Sequence, residues 1–323
     1  MFSKLNELLK RPKGERGDRV IVLDPTVVVL ATYVLLLLSK LIDVTLINRE
    51  NEYYSVVILQ MMIFLVPGAA WCSFSGDRYL SRLRLRMPKA RTIPLMLSAT
   101  LLMISGGLLI SIGFGGLEAL SGNFSLYGTF ISKDNGAFTT KLYLLLAYAA
   151  LPAICEEFVF RGILCAEYES GGVLRAVVFS SLFFGLLHFE LSNLPVYIFA
   201  GVILSLTLYA TRSLAGAIFT HFLYNTFGLF GQPYMNALYN LTGSTGFFLF
   251  LTSLIFFISL IVFCGQASKL YGLYLSKGAN AAYRKPIITD PAAVRASYLD
   301  VIKAPSAILC FAVYIIALII SWL

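Results

Sequence analysis

The chain has 323 residues, 58% of them hydrophobic and 13% charged, with a mean hydropathy of +0.80. A soluble domain of this size could not cover so much apolar surface with polar groups, so the composition predicts an all-α polytopic transmembrane helix bundle, read as one integral membrane domain over 1–323. The net charge of +8 sits in loops and forms no basic stripe interleaved with aromatics, which argues for a lipid bilayer as partner and against nucleic acid. Five cysteines, odd in number, scattered and without a CxxC pair, exclude a disulfide framework or a zinc knuckle.

In chain order, the N-terminal MFSKLNELLKRPKGERGDR is basic and lacks an apolar core followed by a cleavage site. It reads as a short cytosolic leader. Runs of about 20 apolar residues, the length that crosses a bilayer core, then predict nine spans at roughly 21–47, 53–75, 93–115, 142–165, 174–190, 194–211, 213–231, 246–264 and 305–322. An eight-span alternative joins 174–211 into one re-entrant unit. With the N-terminus in the cytosol, the nine-span topology places 21 of the Lys and Arg residues on or nearest the cytosolic side and 4 opposite, as the positive-inside rule requires. The eight-span alternative disturbs that bias. The Gly- and Ser-rich segment 116–141 is then external, and 265–304 is a cytosolic loop with some amphipathic character. Sequons occur at Asn123 and Asn240, a pattern common by chance.

Charges at membrane depth are costly, roughly 2.5–3.5 kcal/mol each even on insertion scales, so a chain keeps them where they pair, line a cavity or act. Here they collect in one region. The fourth span carries Glu156, Glu157 and Arg161 in ICEEFVFRG; the fifth ends in SSLFFGLLHFE with His188; the seventh reads GAIFTHFLYNTF with His221 and Asn225. The protein has two histidines, and both fall here. The topology puts Glu156, His188, His221 and Asn225 at a common depth of ~13–20 Å from the cytosolic face.

Helical spacing assigns partners. Glu157 and Arg161, four apart, share a face and can pair, while Glu156 lies about 100° round the helix and points elsewhere, toward the histidines. His221 and Asn225 share a face, as do Phe184 and His188. Pro152 removes the amide that would bond the carbonyl of Tyr148 and is expected to kink the helix near Glu156. Cys155 reads as a packed apolar residue rather than a nucleophile, and Glu190 and Asp43, near span ends, as solvated.

This set suits hydrolysis. A carboxylate in a poorly solvated pocket can act as general base on water, a histidine can share the proton, and a His/Asn pair can donate to a developing oxyanion. The motifs resemble the CPBP family, which includes the CAAX prenyl proteases and bacterial bacteriocin-processing and self-immunity proteins. Two glutamates, three residues and an arginine match Glu156, Glu157 and Arg161. An aromatic followed at four by histidine matches Phe184 and His188, and a histidine followed at four by asparagine matches His221 and Asn225.

The resemblance covers about 142–231. It implies a glutamate-type intramembrane endopeptidase in which Glu156 and His188 activate water, His221 and Asn225 form the oxyanion hole, and Glu157, Arg161 and Phe184 hold and tune the site. It further implies a protein or peptide substrate, whether plain, lipidated or membrane-embedded, and a site opening toward the cytosol. The absence of an HExxH pair, with the His/Asn spacing suited to hydrogen-bond donation, leads to the expectation of no cofactor. Compactness and short loops suggest a bacterial plasma membrane. Three alternatives stand beside it: a zinc-dependent metalloendopeptidase with Glu156, His188 and His221 as ligands, a non-catalytic immunity or interaction protein of the same fold, and a proton-coupled transporter. The last predicts paired repeats, which the sequence lacks.

Overall fold

A computed structural model describes residues 24–43, 52–75, 79–115, 138–276 and 290–322, and these are helical almost throughout. In chain order the helices are α1 (Thr26–Asp43), α2 (Glu52–Ser75), α3 (Ile93–Gly115), α4 (138–171), α5 (Val173–Leu186), α6 (Leu194–Thr211), α7 (Leu214–Phe230), α8 (Gln232–Thr242), α9 (Thr245–Ser276), α10 (Pro291–Lys303) and α11 (Pro305–Trp322). Each of the nine expected spans overlaps one of these helices over its described residues. By length and composition, however, five helices among the described residues suffice to cross a membrane, or six if α10 and α11, bent by 54°, count as one span. Thr26–Ser39, Val173–Leu186 and Leu214–Phe230 are apolar but short. At 1.5 Å per residue, α5 and α7 extend about 21 and 26 Å, less than the ~30 Å of a hydrocarbon core. These two short helices lead to His188 and carry His221.

The expected leader, the 116–137 part of the external segment and Asn123 lie outside the described residues. The segment 265–304 is largely helical where described. Residues 265–276 prolong α9, and 291–303 form α10, whose N-terminus is capped by Asp290 through the amides of Ala292 and Ala293. Asp, with a short acceptor just before Pro at the first helical turn, is the residue type that begins a helix there.

α4 is the spine of the site, and its sequence departs from a regular helix twice. Residues Leu145–Ala150 and Phe158–Leu164 form π-helical turns around the α-helical Leu151–Glu157. The first lies just before Pro152, whose ring nitrogen cannot complete the α-helical ladder. The wider turn, with Leu151 bonded back to the Leu146 carbonyl, takes up the interruption. Such turns are frequent at functional sites. The two glutamates close the α-helical segment between them.

In a bilayer no hydrophobic force drives helices together, so close approach depends on small residues and buried hydrogen bonds. α5 and α6 follow this rule. Gly201 lies against Ser181 so closely that an added Cβ would meet the Ser181 Cα and Cβ at 2.9 Å. Ser180 ties α5 to α4 by donating to the Phe160 carbonyl at 2.9 Å. α3 packs along α9, α6 and α7, while α1 pairs with α11. Apolar side chains such as Phe257, Ile261, Ile315 and Ile319 point outward, as lipid-facing positions should.

Residues expected on one side do meet at one end of the bundle. Arg82 pairs with Glu167 at 3.3 Å and Arg84 with Glu169 at 2.5 Å. Arg175 donates to the Ser297 carbonyl at 3.3 Å, and the Arg212 guanidinium lies 3.8 Å over the Tyr274 ring. The connector before α3 is thereby fastened to the α4–α5 turn. It also reaches α7, where the Leu214 amide donates to the Arg84 carbonyl at 3.0 Å.

Candidate active site

Three helices supply the polar groups. On α7 the buried stripe Ala217, Thr220, His221, Tyr224, Asn225 and Gly228 repeats at helical spacing, so His221 and Asn225 face inward with the core. On α4, Glu157 and Arg161 are buried, while the Glu156 side chain keeps 14% of its surface accessible. His188 stands just beyond the end of α5, in a turn that continues through Phe189 at φ 51°.

The expected Glu157–Arg161 pair is present, with Arg161 donating to Glu157 Oε1 at 2.7 Å. It is part of something larger. The same Oε1 takes a second hydrogen bond from His221 Nδ1 at 2.9 Å. Arg161 also donates to the Gly201 carbonyl on α6 at 3.0 Å and lies 4.3 Å over the Phe184 ring on α5, a cation–π geometry. One ion pair therefore joins α4, α5, α6 and α7. Glu157 is not confined to holding α4; it also orients a histidine.

A carboxylate accepts, so the proton of that contact lies on His221 Nδ1. Nε2 then faces the other glutamate, 3.9 Å from Glu156 Oε2. That separation exceeds a direct hydrogen bond. A water about 2.8 Å from both atoms would be held at an angle of about 90°. Asn225, one turn along from His221, is buried, and its amide has no hydrogen-bond partner among the described residues.

Phe184 is the centre of the packing. Its ring meets His188 edge-on at 5.2 Å, His221 at 5.7 Å and Phe160 at 5.5 Å. His188 uses Nδ1 toward the Phe184 carbonyl at 3.0 Å. The residues chosen from sequence thus gather around Glu156, His221 and Phe184, with His188 joined through Phe184. Cys155 is fully buried beside Glu156.

Glu190 is not solvated as expected. It is half-buried and accepts from Asn193 Nδ2 at 2.6 Å and from the Tyr197 hydroxyl at 3.0 Å. Tyr197, passed over in the sequence, stacks flat on His188 with ring centroids 3.7 Å apart. The side chain of Asp43 lies outside the described residues.

A zinc site on Glu156, His188 and His221 does not fit this arrangement. Among the described residues no three His, Cys, Asp or Glu side chains converge as a ligand set. The metalloendopeptidase reading therefore has no donor set behind it among the described residues.

Neither the curated proteins nor the solved structures yielded a match. Residues 138–227 match a family model described as type II CAAX prenyl endopeptidase Rce1-like. The matched segment runs from the start of α4 to within α7 and contains every polar residue of the site. By this match, residues 138–227 carry the signature of the CPBP/CAAX protease family.

Proposed function

We propose that the protein is an intramembrane endopeptidase that hydrolyses a peptide bond with water activated by Glu156 and His188, and that its substrate is a lipidated or membrane-embedded protein or peptide. The family match supports the protease reading at its coarser level. The observation that carries the mechanism is the placement of Glu156. It is the accessible member of the glutamate pair, faces His221 Nε2 at 3.9 Å, and makes no hydrogen bond among the described residues that would occupy its oxygens.

In this reading a water beside Glu156 loses a proton to the carboxylate as its oxygen attacks the scissile carbonyl, and His188 shares that proton. The carbonyl oxygen becomes an oxyanion, and the amide nitrogen takes a proton as the C–N bond breaks. Asn225 supplies an amide N–H to the oxyanion. With Nδ1–H committed to Glu157, His221 donates from Nε2 in its imidazolium form, whose charge the Glu157 carboxylate balances. Arg161 in turn holds the Glu157 side chain in place. Donors fixed in a water-poor site are the usual source of such stabilisation.

The test is Glu156→Gln, assayed in lipid nanodiscs with a farnesylated peptide ending in a CAAX sequence and with the unmodified peptide. Loss of the general base lowers kcat by about 10²–10⁴, with thermal stability preserved because the change is nearly isosteric. Hydrolysis at the wild-type rate in Glu156→Gln sinks the mechanism. Wild-type activity persists in strong chelator if His/Glu chemistry alone is sufficient.

A further inference from the structure

His188 poses a problem of positioning. It lies outside the helix, so no regular backbone ladder fixes its side chain, and its amide bonds back to the Gly185 carbonyl at 3.3 Å in a terminal turn. The next residue, Phe189, has a left-handed φ of 51°, uncommon for an aromatic residue. An imidazole on such a turn would sample several orientations unless side chains held it.

Two contacts do so. The Phe184 carbonyl accepts from Nδ1 at 3.0 Å, which sets the Nδ1–H tautomer and leaves the lone pair on Nε2. The face of the ring lies on Tyr197, with centroids 3.7 Å apart and planes 10° from parallel. Tyr197 is itself pinned, because its hydroxyl donates to Glu190 Oε2 at 3.0 Å while Asn193 donates to Oε1 at 2.6 Å. Glu190 lies two residues past His188, and Asn193 and Tyr197 lie one turn apart at the start of α6, where the Tyr197 amide bonds the Asn193 carbonyl at 3.0 Å. The turn therefore closes on itself through side chains.

Helices outside the matched segment brace the same turn. The Tyr314 hydroxyl on α11 donates to the Glu190 carbonyl at 3.4 Å. Tyr33 on α1 meets the Phe189 ring edge-on at 5.6 Å and donates from its hydroxyl to the Phe183 carbonyl.

Resting on the reading of His188 as catalytic, we propose that Tyr197 and Glu190 form a positioning clamp that fixes the plane and tautomer of the His188 imidazole. Tyr197 supplies the stacking surface. Glu190 holds that surface in register by accepting a hydrogen bond from the phenol, and Asn193 holds Glu190. Neither Tyr197 nor Glu190 takes part in bond making.

The chain contains two histidines, so ¹⁵N-histidine labelling of the full-length protein in nanodiscs gives two imidazole signals, assigned by His188→Gln. Wild type shows His188 in a single Nδ1–H tautomer with an upfield ring-current shift from Tyr197. Tyr197→Phe keeps the stacking surface but loses its bond to Glu190. It retains the ring-current shift, populates the second tautomer in part and keeps activity within about threefold. Tyr197→Leu loses the ring-current shift, populates the second tautomer and lowers kcat about tenfold on the farnesylated CAAX peptide, with KM within twofold. Glu190→Gln gives a smaller change in the same direction.

The His221 signal reports folding and stays in place in every variant. If it moves in Tyr197→Leu, the comparison of Glu190→Gln with Tyr197→Phe decides instead. An unchanged His188 signal in Tyr197→Leu, or in Glu190→Gln where that comparison decides, overturns the clamp. The spectrum does not depend on turnover, so an inactive wild-type protein would count against the protease reading and leave the clamp to be judged by tautomer alone.

Discussion

Replacing Arg161 by Leu tests the buried polar centre most directly. Arg161 is 1% exposed and contacts Glu157, the Gly201 carbonyl and the Phe184 ring. Its loss strands a buried carboxylate that retains one donor, His221, and leaves Oε2 of Glu157 as unpartnered as it is in the native state. The Gly201 carbonyl suffers less, because Ser205 also donates to it at 2.9 Å. Stranding one partner of a buried pair costs about 3–5 kcal/mol, on the order of 10 °C in Tm.

Glu157→Leu alone should cost a similar amount, since it strands the guanidinium. The double variant Glu157→Leu/Arg161→Leu removes both charges together, and the sum of the single costs then overstates the damage by up to about 3 kcal/mol. The residual cost reflects the orphaned His221 Nδ1–H. Thermal unfolding of all four proteins in one detergent measures the cycle. If the double variant is as unstable as the two singles added, the pair is not coupled and the reading of one ion pair joining four helices is refuted.

Gly201→Ala places a methyl group 2.9 Å from Ser181 Cα and Cβ, forcing α5 from α6 and costing about 1–3 kcal/mol; a Tm equal to wild type would show that the two helices have slack. Cys155→Ala leaves peptide hydrolysis within about twofold, because its side chain is sealed in the core. An inactive but folded Cys155→Ala would reopen a thiol role.

Much of the site was legible because membrane depth makes polarity expensive. Glu156, Glu157, Arg161, His188, His221 and Asn225 stand out against apolar runs, and spacing by four correctly paired Glu157 with Arg161. What spacing could not supply was the partner across helices. The bond from His221 to Glu157 depends on how α7 packs on α4 and has no trace within either segment. The first π-helical turn, Leu145–Ala150, was legible only as a proline problem at 152, since a helix can answer a missing amide by kinking or by widening. The second, Phe158–Leu164, left no such mark.

Tyr197 was hidden for a different reason. An aromatic residue in an apolar helix carries no signal of its own, and Glu190 at a span end resembles a solvated charge. The pair becomes visible only once the turn after α5 folds back on α6. Span count was the least secure reading. Hydropathy finds apolar helices but not whether a 14-residue one such as α5 crosses the bilayer.

The pairing of α1 with α11 has a consequence for synthesis. Thr26 at the start of α1 bonds Ser306 at the start of α11, and Cys310 lies 3.9 Å from the Thr26 carbonyl. Tyr33 and Tyr314 then steady the turn that bears His188. A nascent chain would hold both glutamates and both histidines in the membrane long before α11 emerged, yet the His188 turn would still lack its last support. On this fold the brace that Tyr314 gives the His188 turn arrives only with α11, and a product stalled before α11 would be an inserted bundle whose turn lacks that support.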